Sequence, residues 1–358
     1  MLKVGFLTSG GDCQALNGAM RGVVKGLVAN SKEKIQIYGI MNGYTGLING
    51  DYKKMSPDDF EDILNLGGTI LGSSRQPFKR IQDPDEQGRD KVACMIENYN
   101  KMQLDVLVVL GGNGSHKTAN LLSTKGLNVI TLPKTIDNDI YGTDMTFGFQ
   151  SAVDIATRYL DEIKTTAASH GRVFVVEIMG HKTGWLTLHA GIAGGADAIL
   201  IPEIPYDINK IKEMIAKKTK AGKKYIVIAV AEGIISKEES NLKKKELKAK
   251  RASEPYSNAA ERLNAELSKI IEREARVSCV GHAQRGGNPD AYDRVFSSRL
   301  GAKGAELILD KKYGQAVVFV NNEITSIPIE QAVEQTKFVD PECSLVKEAK
   351  YLGICMGD

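Results

Sequence analysis

Short, unbroken runs of apolar and β-branched residues recur along this chain, at 4–8, 35–41, 104–110, 128–132, 173–178, 198–201, 225–231, 277–281 and 316–320. Several do not alternate with polar residues. A strand with one wet face alternates, so continuous runs of this length indicate strands covered on both faces, as in a parallel sheet. Longer stretches with helical spacing lie between them, at 15–28, 85–100, 149–165, 185–193, 208–221 and 291–309. Alternating β and α segments predict an α/β fold. Glycine-rich turns fall mostly at the C-terminal ends of the strands, where open α/β sheets bind ligands.

At 358 residues, the chain has room for about two domains of roughly 100–200 residues each. With 42% hydrophobic and 25% charged residues it can bury a sizeable core. A formal net charge of +3 gives no global pull toward nucleic acid or an anionic membrane. No apolar stretch approaches the ~18–20 residues that span a bilayer. Met1 leads directly into Val4-Gly5-Phe6-Leu7, without a signal-peptide layout. Cys13, Cys94, Cys279, Cys343 and Cys355 are scattered, with no CxxC pair. Neither a zinc site nor a disulfide framework is expected, and a reducing cytoplasm fits. The basic stretch 236–251 includes Lys243-Lys244-Lys245, but Glu238, Glu239 and Glu246 interleave and no aromatic residue stands among the lysines. It reads as a solvated helix or loop rather than a nucleic-acid surface.

Two segments carry chemistry. Gly111-Gly112-Asn113-Gly114-Ser115 follows one apolar run and offers bare backbone amides, which suit phosphate oxygens. Pro133-Lys134-Thr135-Ile136-Asp137-Asn138-Asp139 follows the next run and supplies a Lys, a Thr and two carboxylates. A carboxylate can draw a proton from a hydroxyl. Together they point to phosphoryl transfer onto a small alcohol. Gly10-Gly11, between the first strand and a helix, is a third place for phosphate oxygens. No Ser lies in a GxSxG elbow, and the five histidines lack metal-ligand spacing.

The order of Leu7-Thr8-Ser9-Gly10-Gly11-Asp12, Gly111–Ser115, Thr135–Asp139, Met179-Gly180 and Gly281-His282-Ala283-Gln284-Arg285-Gly286-Gly287 resembles the 6-phosphofructokinase family, in register from residue 3 to about 325. The resemblance implies two Rossmann-like three-layer α/β domains. One, for the phosphoryl donor, would comprise 1–140 with approximately 255–305. The other, for the sugar phosphate, would comprise approximately 141–254 with 306–358. It also implies a homodimer or homotetramer in the cytoplasm, and the glycolytic transfer from ATP to the 1-hydroxyl of fructose 6-phosphate, with Mg²⁺. No nucleic acid or membrane partner is expected.

Residue by residue, the resemblance makes Asp137 the general base, with Thr135 and Ile136 at the same substrate. It places Gly11, Gly112, Asn113, Gly114, Ser115, Arg75 and Gln76 at the donor, Arg75 beside the transferred phosphoryl group. It gives Arg276, His282 and Arg285 to the sugar 6-phosphate, with Arg172 crossing from a neighbouring subunit. Met179, Gly180 and His181 would adjoin the sugar, and Glu232 would accept its hydroxyls. Asp137, Asp139 and Asn113 would face the metal, Asn113 weakly.

The chain departs from the family pattern at four places. Gly114 matches ATP-using members, whereas Lys134 matches pyrophosphate-using ones. Asn113 stands where the family norm is Asp, and His181 where it is Arg. Gln14-Ala15 replaces the usual Pro-Gly. ATP is the expected donor, with two alternatives: a pyrophosphate-dependent phosphotransferase, and a non-catalytic sugar-phosphate sensor on the same fold.

Overall fold

The computed structural model describes residues 1–358. In chain order the strands are β1 (Leu2–Ser9), β2 (Ile35–Ile40), β3 (Tyr52–Met55), β4 (Val106–Gly111), β5 (Val129–Pro133), β6 (Val173–Ile178), β7 (Ala198–Leu200), β8 (Ile226–Ala231), β9 (Ala275–Cys279), β10 (Gln315–Val320) and β11 (Glu323–Pro328). The chain divides into two compact units, Met1–Ser151 with Arg285–Lys337 and Ala152–Gln284 with Phe338–Asp358.

The first unit holds a seven-stranded sheet ordered β11-β10-β5-β4-β1-β2-β3. Its inner pairs are parallel, and β3 and β11 close the two edges antiparallel to their neighbours. Every residue of β4 and β5 is buried, which is why their sequences run apolar without alternation. The helices Leu16–Asn30 and Ala291–Leu309 pack on each other, and Ala291–Leu309 lies against β5 and β10. One core cluster gathers Leu7, Tyr44, Met95, Leu107, Val109 and Leu122.

The second unit is a four-stranded parallel sheet ordered β7-β8-β6-β9. β6 and β8 are fully buried. Val175, Ile211, Ile228 and Leu263 belong to its core.

The α/β reading holds, but the units are bounded elsewhere than the expected domains. Residues 255–284 join the second unit, because β9 pairs with β6 and the helix Ala259–Leu267 buries its apolar side in that core. Residues 306–337 join the first unit, because β10 pairs with β5. The basic stretch contains a helix, Lys244–Ser253, with no buried residue, in keeping with a solvated element.

Candidate active site

The strand order fixes where ligands can sit in the first unit. β2 lies on one side of β1 and β4 on the other. The order therefore reverses between β1 and β4, and their carboxyl ends part to leave a crevice. Ser9 pairs with Gly111, and Gly111 with Pro133. Gly10-Gly11, Gly112–Ser115 and Lys134–Asp139 thus leave three adjacent strands side by side.

Two helices begin at this edge. Leu16–Asn30 follows β1, and Asn113–Thr124 follows β4. Neither has a side-chain cap or an acidic residue in its first turn. Asp90, Asp207, Asn258 and Asp290 cap four other helices, whereas Tyr44–Asn49, Trp185–Ala193 and Ser344–Tyr351 are uncapped like these two. What sets these two apart is their place at the crevice. An uncapped N-terminus keeps its amides and partial positive charge available to an external anion.

Gly111 and Gly114 are glycine for different reasons. A Cβ on Gly111 would lie 2.2 Å from the Cβ of Ser115, so the close turn between β4 and its helix excludes a side chain. A Cβ on Gly114 would meet nothing within 4 Å. Packing does not demand glycine there, and its bareness leaves space in front of the helix end.

A cavity of about 450 Å³ opens beside these turns, lined by Gly10, Gly11, Asp12, Ser74, Arg75 and Arg285. Its walls are tied to β1: Gly10 N donates to Ser74 O at 3.0 Å, and Thr8 Oγ1 donates to Gly72 O at 2.7 Å. Gln76 Nε2 donates to Thr45 Oγ1 at 3.0 Å. The Arg285 guanidinium lies 2.9–3.2 Å from where a Cβ on Gly11 would stand. Its buried Nε has no acceptor. Arg285 thus lines the same cavity as Gly11 and Arg75. Thr69, Ser73 and Ser74, which also line it, went unread in the sequence because small hydroxyl residues in a loop carry no motif.

Lys134 is buried, and its Nζ donates to Gly11 O. Burial lowers its pKa. Beyond it, Thr135 and Ile136 are buried while Asp137 and Asp139 are half-exposed. Asp137 N donates to Thr135 Oγ1 at 3.0 Å, and Thr146 Oγ1 donates to Thr135 O at 2.7 Å. Asn113 Nδ2 donates to Asp139 O at 3.3 Å, while Asn113 Oδ1 is buried without a donor. Nowhere do three or more His, Cys, Asp or Glu side chains form a metal-binding group.

The second unit repeats the strand-end logic. Ile178 pairs with Ala231, and Glu177 with Cys279. Met179–His181, Glu232 and the Gly281–Arg285 turn that carries His282 therefore leave the carboxyl ends of β6, β8 and β9 together. Glu232 Oε1 accepts from His181 N at 2.6 Å. Met179 N donates to Gln284 Oε1 at 3.3 Å. Gly180 and His181 both have positive φ, 149° and 53°.

Arg172 and Arg276 are not part of that group. Arg172 precedes β6, and Arg276 is the second residue of β9. Arg172 Nε meets Glu274 Oε2 at 2.6 Å, and Arg276 binds the other oxygen of the same carboxylate. The hydrogen bond from Arg172 holds Glu274 below the usual carboxylate range. The two arginines gather at the amino ends of the strands, the opposite end from Glu232 and His282.

Comparison with known proteins extends this geometry. The family model described as Phosphofructokinase matches residues 3–308. An ATP-dependent 6-phosphofructokinase of Spirochaeta thermophila is 49% identical over 99% of this chain and 97% of its own length. ATP-dependent 6-phosphofructokinase 3 of Bacteroides thetaiotaomicron is 40% identical over 99% of this chain and all of its own. Among solved structures, phosphofructokinase from Saccharomyces cerevisiae superposes with a TM-score of 0.78 at 30% identity. That match covers 93% of this chain but only 45% of the yeast chain, so this chain spans less than half of its length. A family match that runs through parts of both units, with relatives alike from end to end, leads to one conclusion: the chain belongs to the phosphofructokinase family.

Proposed function

We propose that this protein transfers the terminal phosphoryl group of ATP to the 1-hydroxyl of fructose 6-phosphate, giving ADP and fructose 1,6-bisphosphate. The observation that carries this reading is the pair of uncapped helix N-termini above the β1/β4 crevice, with open space at Gly114. The relatives named as ATP-dependent enzymes support the choice of donor.

In this reading the amides of Gly11, Gly112 and Gly114, with Arg75, offset the charge on the transferring group. Gln76, Asn113 and Ser115 complete the donor side. Asp137 takes the proton of the 1-hydroxyl as that oxygen attacks phosphorus. Thr135 holds the amide of Asp137 and so sets the direction of its carboxylate. Glu232, held by the His181 amide, accepts sugar hydroxyls beside Met179 and Gly180, and His282 meets the 6-phosphate, while Ile136 follows Thr135 on the substrate side of the first unit. Arg285 lines the donor cavity, so we assign it to phosphate oxygens on that side. Arg172 and Arg276, paired through Glu274 at the far strand ends, suit a contribution to a neighbouring subunit of a homodimer or homotetramer.

The orphaned Asn113 Oδ1 and the absence of any three-residue metal group fit a Mg²⁺ held mainly by phosphates and water. Asn113, Asp137 and Asp139 would hold it, and it supplies charge neutralisation at phosphate oxygens. We place the protein in the cytoplasm; no helix is long and apolar enough to cross a membrane, and the five cysteines are unpaired.

One observation favours a second reading. Lys134 sets a cation at Gly11, a position suited to the compact charge of pyrophosphate. Initial velocities on fructose 6-phosphate with ATP and pyrophosphate in parallel, with and without Mg²⁺, decide between them. Faster turnover with ATP is expected. Turnover with pyrophosphate alone reverses the assignment, and turnover with neither leaves a sugar-phosphate sensor.

A further inference from the structure

We propose that Lys337 is a positioning residue that holds the turn carrying Asp137 and Asp139 in its working shape; this rests on the phosphoryl-transfer reading above. Lys337 is the last residue of the first unit and lies beyond the residues 3–308 that match the family model.

Its backbone and side chain grip the two ends of one turn. Lys337 N donates to Asp139 O at 2.9 Å, and the preceding Thr336 forms an antiparallel bridge with Ile140. Lys337 Nζ donates to Asn138 Oδ1 at 2.9 Å, Thr143 O at 2.8 Å and Asp144 O at 2.9 Å. Three acceptors are the number that an ammonium can serve. The start of the turn, 138–139, is thereby joined to its end, 143–144, through a single cation.

Asn138 explains why a grip is needed. It stands between the two carboxylates with φ 51°, a left-handed conformation that side chains disfavour. That conformation sets the directions in which Asp137 and Asp139 leave the backbone. Besides Lys337 Nζ, Asn138 Oδ1 accepts from Thr146 N at 3.1 Å, and Asn138 Nδ2 donates to Asp144 O at 3.2 Å. Lys337 and Asn138 therefore form one clasp. Lys337 holds the backbone of Asp139, Thr143 and Asp144 and the side chain of Asn138, so its effect on the reaction passes through the turn.

The test uses the full chain with Lys337→Met and Asn138→Ala, singly and together. The expected result is a kcat lowered on the order of 10–100-fold, as for a misplaced catalytic group, with KM for fructose 6-phosphate changed less than about threefold. Amide hydrogen exchange should quicken across 135–146 and stay unchanged in β4 and β5, and the double variant should be no worse than the poorer single one. Unchanged kcat, a rise in KM alone, or unaltered exchange in the turn overturns the proposal. Should Lys337→Met fail to fold, Lys337→Arg, which keeps the charge but not the three-way geometry, gives the same reading. A wild-type protein that turns over fructose 6-phosphate with neither donor refutes the function proposed above, while the exchange measurement still judges the clasp.

Discussion

Gly111 and Gly114 are interchangeable letters in the sequence and opposite cases in space. Gly111→Ala puts a methyl group against Ser115 and should cost about 1–3 kcal/mol of stability, read as a lower urea midpoint. Gly114→Ala meets no atom and removes a helix glycine, so stability should hold or rise by up to about 1 kcal/mol. Gly114→Asp should also fold, since a carboxylate near a helix N-terminus is favourable, yet it should abolish turnover with ATP. A folded Gly114→Asp variant that still uses ATP would sink the donor assignment. Asp137→Ser should cut turnover by a factor on the order of 10²–10⁴ while calorimetry finds fructose 6-phosphate binding nearly unchanged. The motif spelled out where bare amides and a carboxylate belong. It could not show that Arg172 and Arg276 share Glu274, because that depends on the pairing of β6 with β9.

The helix Asn113–Thr124 escaped periodicity because its buried face is largely polar: Ser115, His116 and Thr118 lie inward with Ala119 and Leu122. The strands buried on both faces were legible because they are apolar throughout. β3 and β11 were missed because neither is covered on both faces, and β3 is only four residues long, so they carry little continuous apolar signal. His116 seats its helix on β5, with Nε2 at 3.3 Å from Leu132 O and Nδ1 at 3.3 Å from Thr131 Oγ1. Burial pulls its pKa from 6.5 down to about 4. The unfolded chain therefore takes up a proton before the folded one does, and stability falls as pH drops from 6.5 toward 4. Asp293 acts the other way. Burial pushes its carboxyl up to about 6, so between pH 6 and 3.8 the folded state binds the proton first and gains. His116→Gln should recover on the order of 2 kcal/mol of the loss between pH 7 and 4.5. Urea unfolding at the two pH values checks this; an unchanged difference would show that His116 is not the group responsible.

The last residues of the chain complete the second unit. Ile199 N donates to Cys355 O at 2.9 Å, Cys355 N to Asp197 O at 3.1 Å, and Asp207 N to Gly357 O at 2.7 Å. Removing residues 338–358 should uncover β7 and open 152–284 to limited proteolysis, while β4 and β5 stay protected. Equal protection of both units after truncation would contradict this. The larger sheet is finished differently. Its two rims are antiparallel strands, one carrying Lys53 and Lys54, the other ending in Pro328. Charge, brevity and proline are the means by which proteins discourage a stranger's strand from docking. A ribbon running from molecule to molecule is thus barred at both margins, and any assembly of copies through this unit has to be made from helices and loops.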